Sequence, residues 1–296
     1  YPSGMGRRRR PKRNAIPRRQ ADPPGRRAFA ALRRTSIFGE GENEISKKDN
    51  MIYSAMKLVF KKLKSKPNKG YIIKCINRIP ISRGLGSSSA AIIGGLLCAN
   101  YMLGDKLSIE KDILNMAVQI EGHPDNVAPA ILGGIVSGVV KKEEDFKYIK
   151  IKPPKNLKAI VSIPDFYLST EIARNILPKE ITRKDAIFNI SRAALLTSAL
   201  FSNRLDLLEI ATEDKIHQDY RAKFIPNLNQ LFKETKKAGD YSVTISGAGS
   251  SILALAKDDK NIIEKVSKAM HYSFKKKNIN SVIKVLNIPT KGIIID

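Results

Sequence analysis

Apolar residues recur at helical spacing through residues 47–65, KKDNMIYSAMKLVFKKLKS. Ile52, Met56, Val59, Phe60 and Leu63 share one face, and lysines take the other. The pattern predicts an amphipathic helix capped at its start by Asn50 or Asp49. The period then shortens: GYIIKCINRIP (70–80) alternates in part and predicts a strand ending at Pro80. A glycine- and serine-rich loop follows, then an apolar run over 90–104 and a second helical pattern over 109–120. EGHPDNVAPAILGGIVSGVV (121–140) opens as a loop and ends in strand-like Ile, Val and Gly.

Beyond IKPPKN the pattern restarts, which places a boundary near Pro153 and Pro154. A strand (157–164) leads into helical stretches over 169–178, 183–202 and 204–211. The end of the chain reads strand (241–249), strand (250–257), helix (261–277), strand (281–288). Strands alternating with helices, with hairpins between some of them, define an α+β chain. There is no internal repeat.

The 42% hydrophobic content is that of an ordinary soluble protein, and 90–104 is too short to cross a bilayer. Cys75 and Cys98 sit in apolar stretches and predict buried thiols in a reduced compartment, hence a cytoplasmic location. With three histidines beside them, a dedicated zinc site is not expected.

Charge changes the picture at one end. The formal net charge is +25, and residues 1–34 alone carry eleven Arg, one Lys and one acid. After position 34 there are seven Arg against thirty-four Lys. Pro and Arg replace apolar periodicity in the opening stretch, so 1–34 is expected to be disordered, and 1–37 is set apart from the folded domains as a disordered or foreign segment. It reads as a basic interaction tail, a targeting segment or foreign sequence. It is neither Ser-rich nor amphipathic as a transit peptide would be, and position 1 is Tyr1 rather than Met. Nucleic acid enters only as a non-specific, salt-sensitive contact through 1–34.

The chemistry concentrates around PISRGLGSSSA (80–90). Gly84 and Gly86 allow backbone N–H groups to converge on one point, and Ser87, Ser88 and Ser89 add hydroxyls. A helix beginning near Ser88 would aim its positive end there, and Arg83 adds a fixed charge. This is a phosphate cradle on a buried support. It lacks the lysine of a Walker A loop and does not match GxGxxG. In EGHPDN, His123, Asp125 and Asn126 place a cation acceptor and an amide on one short loop. Arg174 and Arg221 are two of the seven arginines in the lysine-rich body, and a guanidinium suits two-point binding of a carboxylate.

Pro80, Arg83, Gly84, Leu85, Gly86, Ser87, Ser88, Ser89 and Ala90 together resemble the PxxxGLGSSAA signature of the GHMP small-molecule kinases. TISGAGSSILAL (244–255) is similar to their C-terminal SGAGPS loop, with Ser250 where proline is usual. Residues 121–134 are most similar to the homoserine kinases within that family. The resemblance runs from about Phe38 to the C-terminus. It implies a two-domain fold: an ATP-binding α+β domain over 38–154 and a ferredoxin-like α+β domain over 155–296.

It also implies ATP and Mg²⁺ as cofactors and phosphoryl transfer to L-homoserine; the alternatives are another GHMP kinase substrate, or a catalytically impaired chain with a nucleic-acid-binding basic tail. His123, Asp125 and Asn126 become catalytic and substrate-binding residues. Thr170, Arg174, Arg221 and Gly247 join them around the amino acid, and Asn50 matches a position that contacts adenine. Ser88 and an acid before the EGH segment would hold the metal; Glu121 is the nearest acid, although the family spacing could place Gln119 there. The homodimer is left open. The PxSxNLGxGFD-like segment that opens the family has no counterpart in 1–37, which predicts an unpaired sheet edge and exposed apolar surface.

Overall fold

The computed structural model describes residues 34–46, 50–65, 67, 70–141 and 145–296. Most of the Arg-rich opening segment, and Asp49, lie outside the described residues.

The first half is built on helices. Strand β1 (Arg34–Gly39) runs parallel to β2 (Ile72–Asn77), with Arg34 opposite Ile72 and Gly39 opposite Asn77. Between them lies α1 (Met51–Lys62), which buries Met56 and Val59 of the predicted face together with Ala55, while Ile52, Phe60 and Leu63 pack half-buried against the same core. Asn50 caps it, its side-chain oxygen accepting from the Tyr53 N–H at 2.9 Å. Helix α2 (Ser87–Met102) packs on α1 at Gly95, where a Cβ would lie 2.3 Å from the Ile52 carbonyl oxygen. A π-helical turn (Ile109–Ile113) leads into α3 (Leu114–Glu121), and α4 (Val127–Leu132) follows. Ile92, Leu96, Ile113, Leu114 and Val127 are fully buried among these helices. Strands β3 (Ile135–Val140) and β4 (Phe146–Ile151) form an antiparallel pair.

Strand β1 corrects the expected start of the folded chain. Thr35, Ser36 and Ile37 lie before the boundary expected at Phe38, yet they pair with Ile73, Lys74 and Cys75, and Ile37 is buried. Thr and Ile are strong strand formers, and a neighbouring run of arginines does not prevent six residues from pairing. Phe38, Ile72 and Ile76 are exposed on this two-stranded sheet.

The second half is built on one sheet. Strands β5 (Leu157–Pro164), β6 (Ser242–Ile245), β7 (Ile252–Lys257) and β8 (Ser281–Asn287) are antiparallel in the order β6-β7-β5-β8. Helices α5 (Thr170–Asn175), α6 (Arg183–Phe201), α7 (Leu208–Ala211), α8 (Gln218–Arg221) and α9 (Leu228–Lys237) separate β5 from β6. Helix α10 (Lys260–Lys275) links β7 to β8. The apolar faces of α9 and α10 bury Leu231, Val266, Met270 and Phe274 against Ile160, Val243, Ile252 and Ala254. This is the ferredoxin-like arrangement. No helix among the described residues is long and apolar enough to cross a membrane.

Candidate active site

Gly86 adopts a left-handed conformation (φ 74°) that turns the chain directly into α2, so the first N–H groups of the helix face the loop. Gly84 is also left-handed (φ 72°), and a Cβ there would lie 2.1 Å from the Ser246 carbonyl oxygen. The close approach joins this loop to the second glycine loop, Ser246 to Gly249. The Ser246 hydroxyl donates to the Gly84 carbonyl (2.9 Å), and the Ser251 N–H donates to the Arg83 carbonyl (3.2 Å). The two halves of the chain therefore meet glycine against glycine.

A cavity of about 1480 Å³ opens beside this junction. Pro80, Arg83, Gly84, Leu85, Gly86, Ser87, Ser88 and Ala90 line it, together with Asn50, Glu121, His123, Asp125, Asn126, Arg174, Arg221 and Gly247. Ser89 does not. It is 1% exposed, its hydroxyl has no partner, and the helical turn carries it into the core instead of the cradle. Thr170 opens α5, and its side chain lies outside the described residues.

The Ser88 hydroxyl donates to Glu121 Oε1 at 2.8 Å, so α2 and the end of α3 bring two side-chain oxygens together. Gln119 is exposed and does not border the cavity. Among the described residues no cluster of three or more His, Cys, Asp or Glu could hold a metal by itself. Asn126 lies against Gly86, where a Cβ would stand 3.2 Å from its Oδ1. Asn50 has one buried amide nitrogen without a partner. Arg83 also has one buried nitrogen, Nη1, without a partner, while its guanidinium lies over the Tyr167 ring (5.2 Å) and 4.0 Å from Asp165.

His123 connects the loop to the arginines: Nδ1 meets Asp125 and Nε2 meets Arg174. An arginine only donates, so Nε2 is the acceptor and the imidazole carries its proton on Nδ1, toward Asp125. Arg221 donates through Nε to the Ala173 carbonyl (3.2 Å) and through Nη1 to the Gly247 carbonyl (2.9 Å). Burial holds its guanidinium below the ordinary arginine range, and Arg174 nearby acts in the same direction against Asp214.

The sequence reading missed Asp214. Burial would raise its pKa, yet hydrogen bonds from His217, Asn189 and the Gln218 and Ile216 backbone hold it well below the usual carboxylate range. Its signal in the sequence is weak: a short carboxylate can bond backbone N–H groups two residues on, as Asp214 does with Ile216. Cys75 and Cys98, expected to be buried, are half-buried and exposed, and both line the cavity. The side of the apolar helix α2 that bears Cys98 borders open space rather than core.

The GHMP kinases N-terminal domain matches residues 50–134, and the GHMP kinases C-terminal region matches residues 196–272. The homoserine kinase of Clostridium botulinum (strain Alaska E43) is 42% identical over 269 residues, covering 90% of this chain and 88% of the relative. That of Caldicellulosiruptor bescii is 47% identical over 216 residues, covering 73% and 69%. The crystal structure of homoserine kinase from Cytophaga hutchinsonii superposes with a TM-score of 0.79 at 29% identity, covering 88% of this chain and 83% of that one. The chain belongs to the GHMP kinase family. Within that family, homoserine kinases match it at 41–47% identity over 73–90% of its length.

Proposed function

We propose that the chain transfers the γ-phosphoryl group of ATP to the side-chain hydroxyl of L-homoserine, giving ADP and O-phospho-L-homoserine, the step that feeds threonine synthesis in the cytoplasm. One observation supports this reading above the others. A single cavity holds a phosphate cradle at a helix start and, beside it, two arginines and a carboxylate suited to a zwitterion. The 42% identity to a homoserine kinase over nearly the whole chain agrees with it.

In this reading the N–H groups at 84–88 bind the nucleotide phosphates, assisted by the free Nη1 of Arg83. The unpartnered amide N–H of Asn50 faces the adenine. Ser88 and Glu121 offer two hard oxygen donors, which fit Mg²⁺ with phosphate oxygens and water completing its shell. The ion would supply charge neutralisation on the transferring group. Arg174 and Arg221 bind the amino-acid carboxylate, with Gly247 and Thr170 beside them. Asp125 takes the amino group, and Asn126, packed on Gly86, holds the hydroxyl next to the phosphates. His123 has both ring nitrogens engaged, so it orients Asp125 and Arg174 rather than accepting the hydroxyl proton. Positioning and charge neutralisation then carry the rate, as a loose phosphoryl-transfer transition state permits.

Alcohol acceptors separate this from other GHMP kinase activities. With Mg-ATP, L-homoserine should be used at least ten times better than mevalonate, galactose or L-homoserine methyl ester, which keeps the hydroxyl but has no free carboxylate. Preference for mevalonate or galactose would overturn the assignment, and equal use of the methyl ester would remove the carboxylate clamp.

A further inference from the structure

The segment from Thr212 to Arg221 is held more tightly than its position on a domain surface requires. Asp214 is its hub. Its side chain is 13% exposed and accepts from the backbone N–H groups of Ile216 (3.0 Å), His217 (2.8 Å) and Gln218 (2.6 Å). It also accepts from the Asn189 side chain on α6 and from His217 Nδ1 (3.3 Å). Asn189 returns a second contact, its Oδ1 accepting from the Lys215 N–H at 3.0 Å. One turn further along α6, Arg192 donates to Glu213 through Nε (2.9 Å) and Nη2 (2.7 Å). Helix α6 thus grips three successive residues, 213 to 215.

What this grip fixes is the helix that carries Arg221. Helix α8 has only four residues and cannot hold itself in place. Asp214 accepts from the N–H groups of His217 and of Gln218, the first residue of the helix. Gln218 itself accepts from the Ile245 N–H (2.9 Å) at the end of β6, just before the second glycine loop. Arg221 follows, with Nε and one Nη1 hydrogen spent on the Ala173 and Gly247 carbonyls. Of the five guanidinium N–H groups, three remain to face the cavity. Arg174 approaches on the same side, and its charge opposes that of Arg221 while Asp214 offsets it.

We infer that Asp214, locked by Asn189, is a positioning residue for substrate recognition: it seats α8 so that Arg221 presents its free edge to the amino-acid carboxylate. The inference rests on the reading of Arg174 and Arg221 as the carboxylate clamp. The hydrogen bonds of Asp214 run to Asn189 and to residues 216–218 and not to the 84–89 loop, so its loss should act on one substrate only. A partner that merely stabilised the fold would weaken both.

The test compares Asp214→Asn with Arg221→Ala in the full chain, measuring KM and kcat for L-homoserine, for 3-amino-1-propanol (the same molecule without its carboxylate) and for ATP. Calorimetric binding of L-homoserine runs alongside. Asp214→Asn should raise the homoserine KM and Kd at least tenfold. It should leave the ATP KM, and kcat/KM for 3-amino-1-propanol, within about twofold of the parent. Should Asp214→Asn not fold, Asn189→Ala, which leaves the carboxylate in place but unlocked, is expected to show the same split with a smaller loss. If Arg221→Ala shows the split and neither of the other two does, the positioning role is wrong while the clamp stands. If Arg221→Ala leaves homoserine use intact, the clamp is wrong and the inference falls with it. Equal losses on all three substrates in Asp214→Asn and Asn189→Ala would reduce Asp214 to a structural part.

Discussion

The chain has two glycine loops that touch, and they serve different ends. The loop at 84–89 runs into a sixteen-residue helix and presents the first amides of that helix to the cavity. The loop at 246–249 joins two strands of a sheet and has no helix behind it. It presents carbonyls and a hydroxyl instead: Ser246 Oγ to Gly84, and Gly247 O to Arg221. One loop is therefore an anion site, and the other is the brace that holds it and seats an arginine. Glycine content alone does not distinguish the two. The element that follows each loop does.

Gly84→Ala breaks the contact where the brace meets the cradle. A Cβ would lie 2.1 Å from the Ser246 oxygen at a φ of 72°, and strain and overlap together should cost about 2 to 4 kcal/mol. Nucleotide binding should become undetectable by calorimetry, with a lowered melting temperature. Arg174→Ala should leave ATP binding alone but weaken homoserine by about 2 kcal/mol, roughly thirtyfold, as loss of a charge-assisted bond does. Equal weakening of both ligands would mean the arginine serves the fold.

A third change separates stability from the site. Asp240 lies just ahead of β6, with both carboxylate oxygens buried and unpartnered. Burial, opposed by Lys236, pushes its pKa up to about 6. A raised carboxylate pKa means the folded state binds the proton more tightly, so this group's contribution is full below about pH 4. It falls as the pH rises toward 6, and is gone above that. Asp240→Asn should therefore stabilise the protein at pH 7, by about 1 kcal/mol after allowing for partial exposure, and do little at pH 4. Melting curves at the two pH values check this, and ATP and homoserine binding should not move. The smallest effect belongs to Gly247→Ala. Its Cβ would stand 3.2 Å from the Gly84 oxygen, so the brace must shift by a few tenths of an ångström. Homoserine KM should rise two- to fivefold, with the ATP KM nearly constant.

Much of this was legible in the sequence because it is local. The face of α1, its Asn50 cap, the cradle before α2 and the second glycine loop each follow from spacing within a dozen residues. Pairing over long range was not legible. Strand β1 was hidden by the arginines beside it, because only the register with β2 shows that Ser36 and Ile37 have partners. Ser89 looks like its neighbours in sequence, and one step of helical rotation removes it from the cavity. Asp214 is held by Asn189, twenty-five residues upstream, and neither residue matches a motif on its own.

The central claim is that this cavity phosphorylates homoserine with a nucleotide held at Gly86. Mass spectrometry of a reaction containing the chain, Mg-ATP and L-homoserine tests it most directly, with a Gly86→Asp variant beside it. A carboxylate at that position would repel the phosphates. O-Phospho-L-homoserine should accumulate in step with ADP in the parent reaction and be absent from the variant. ADP formed without the phosphorylated amino acid, or product formed equally well by Gly86→Asp, would contradict the account.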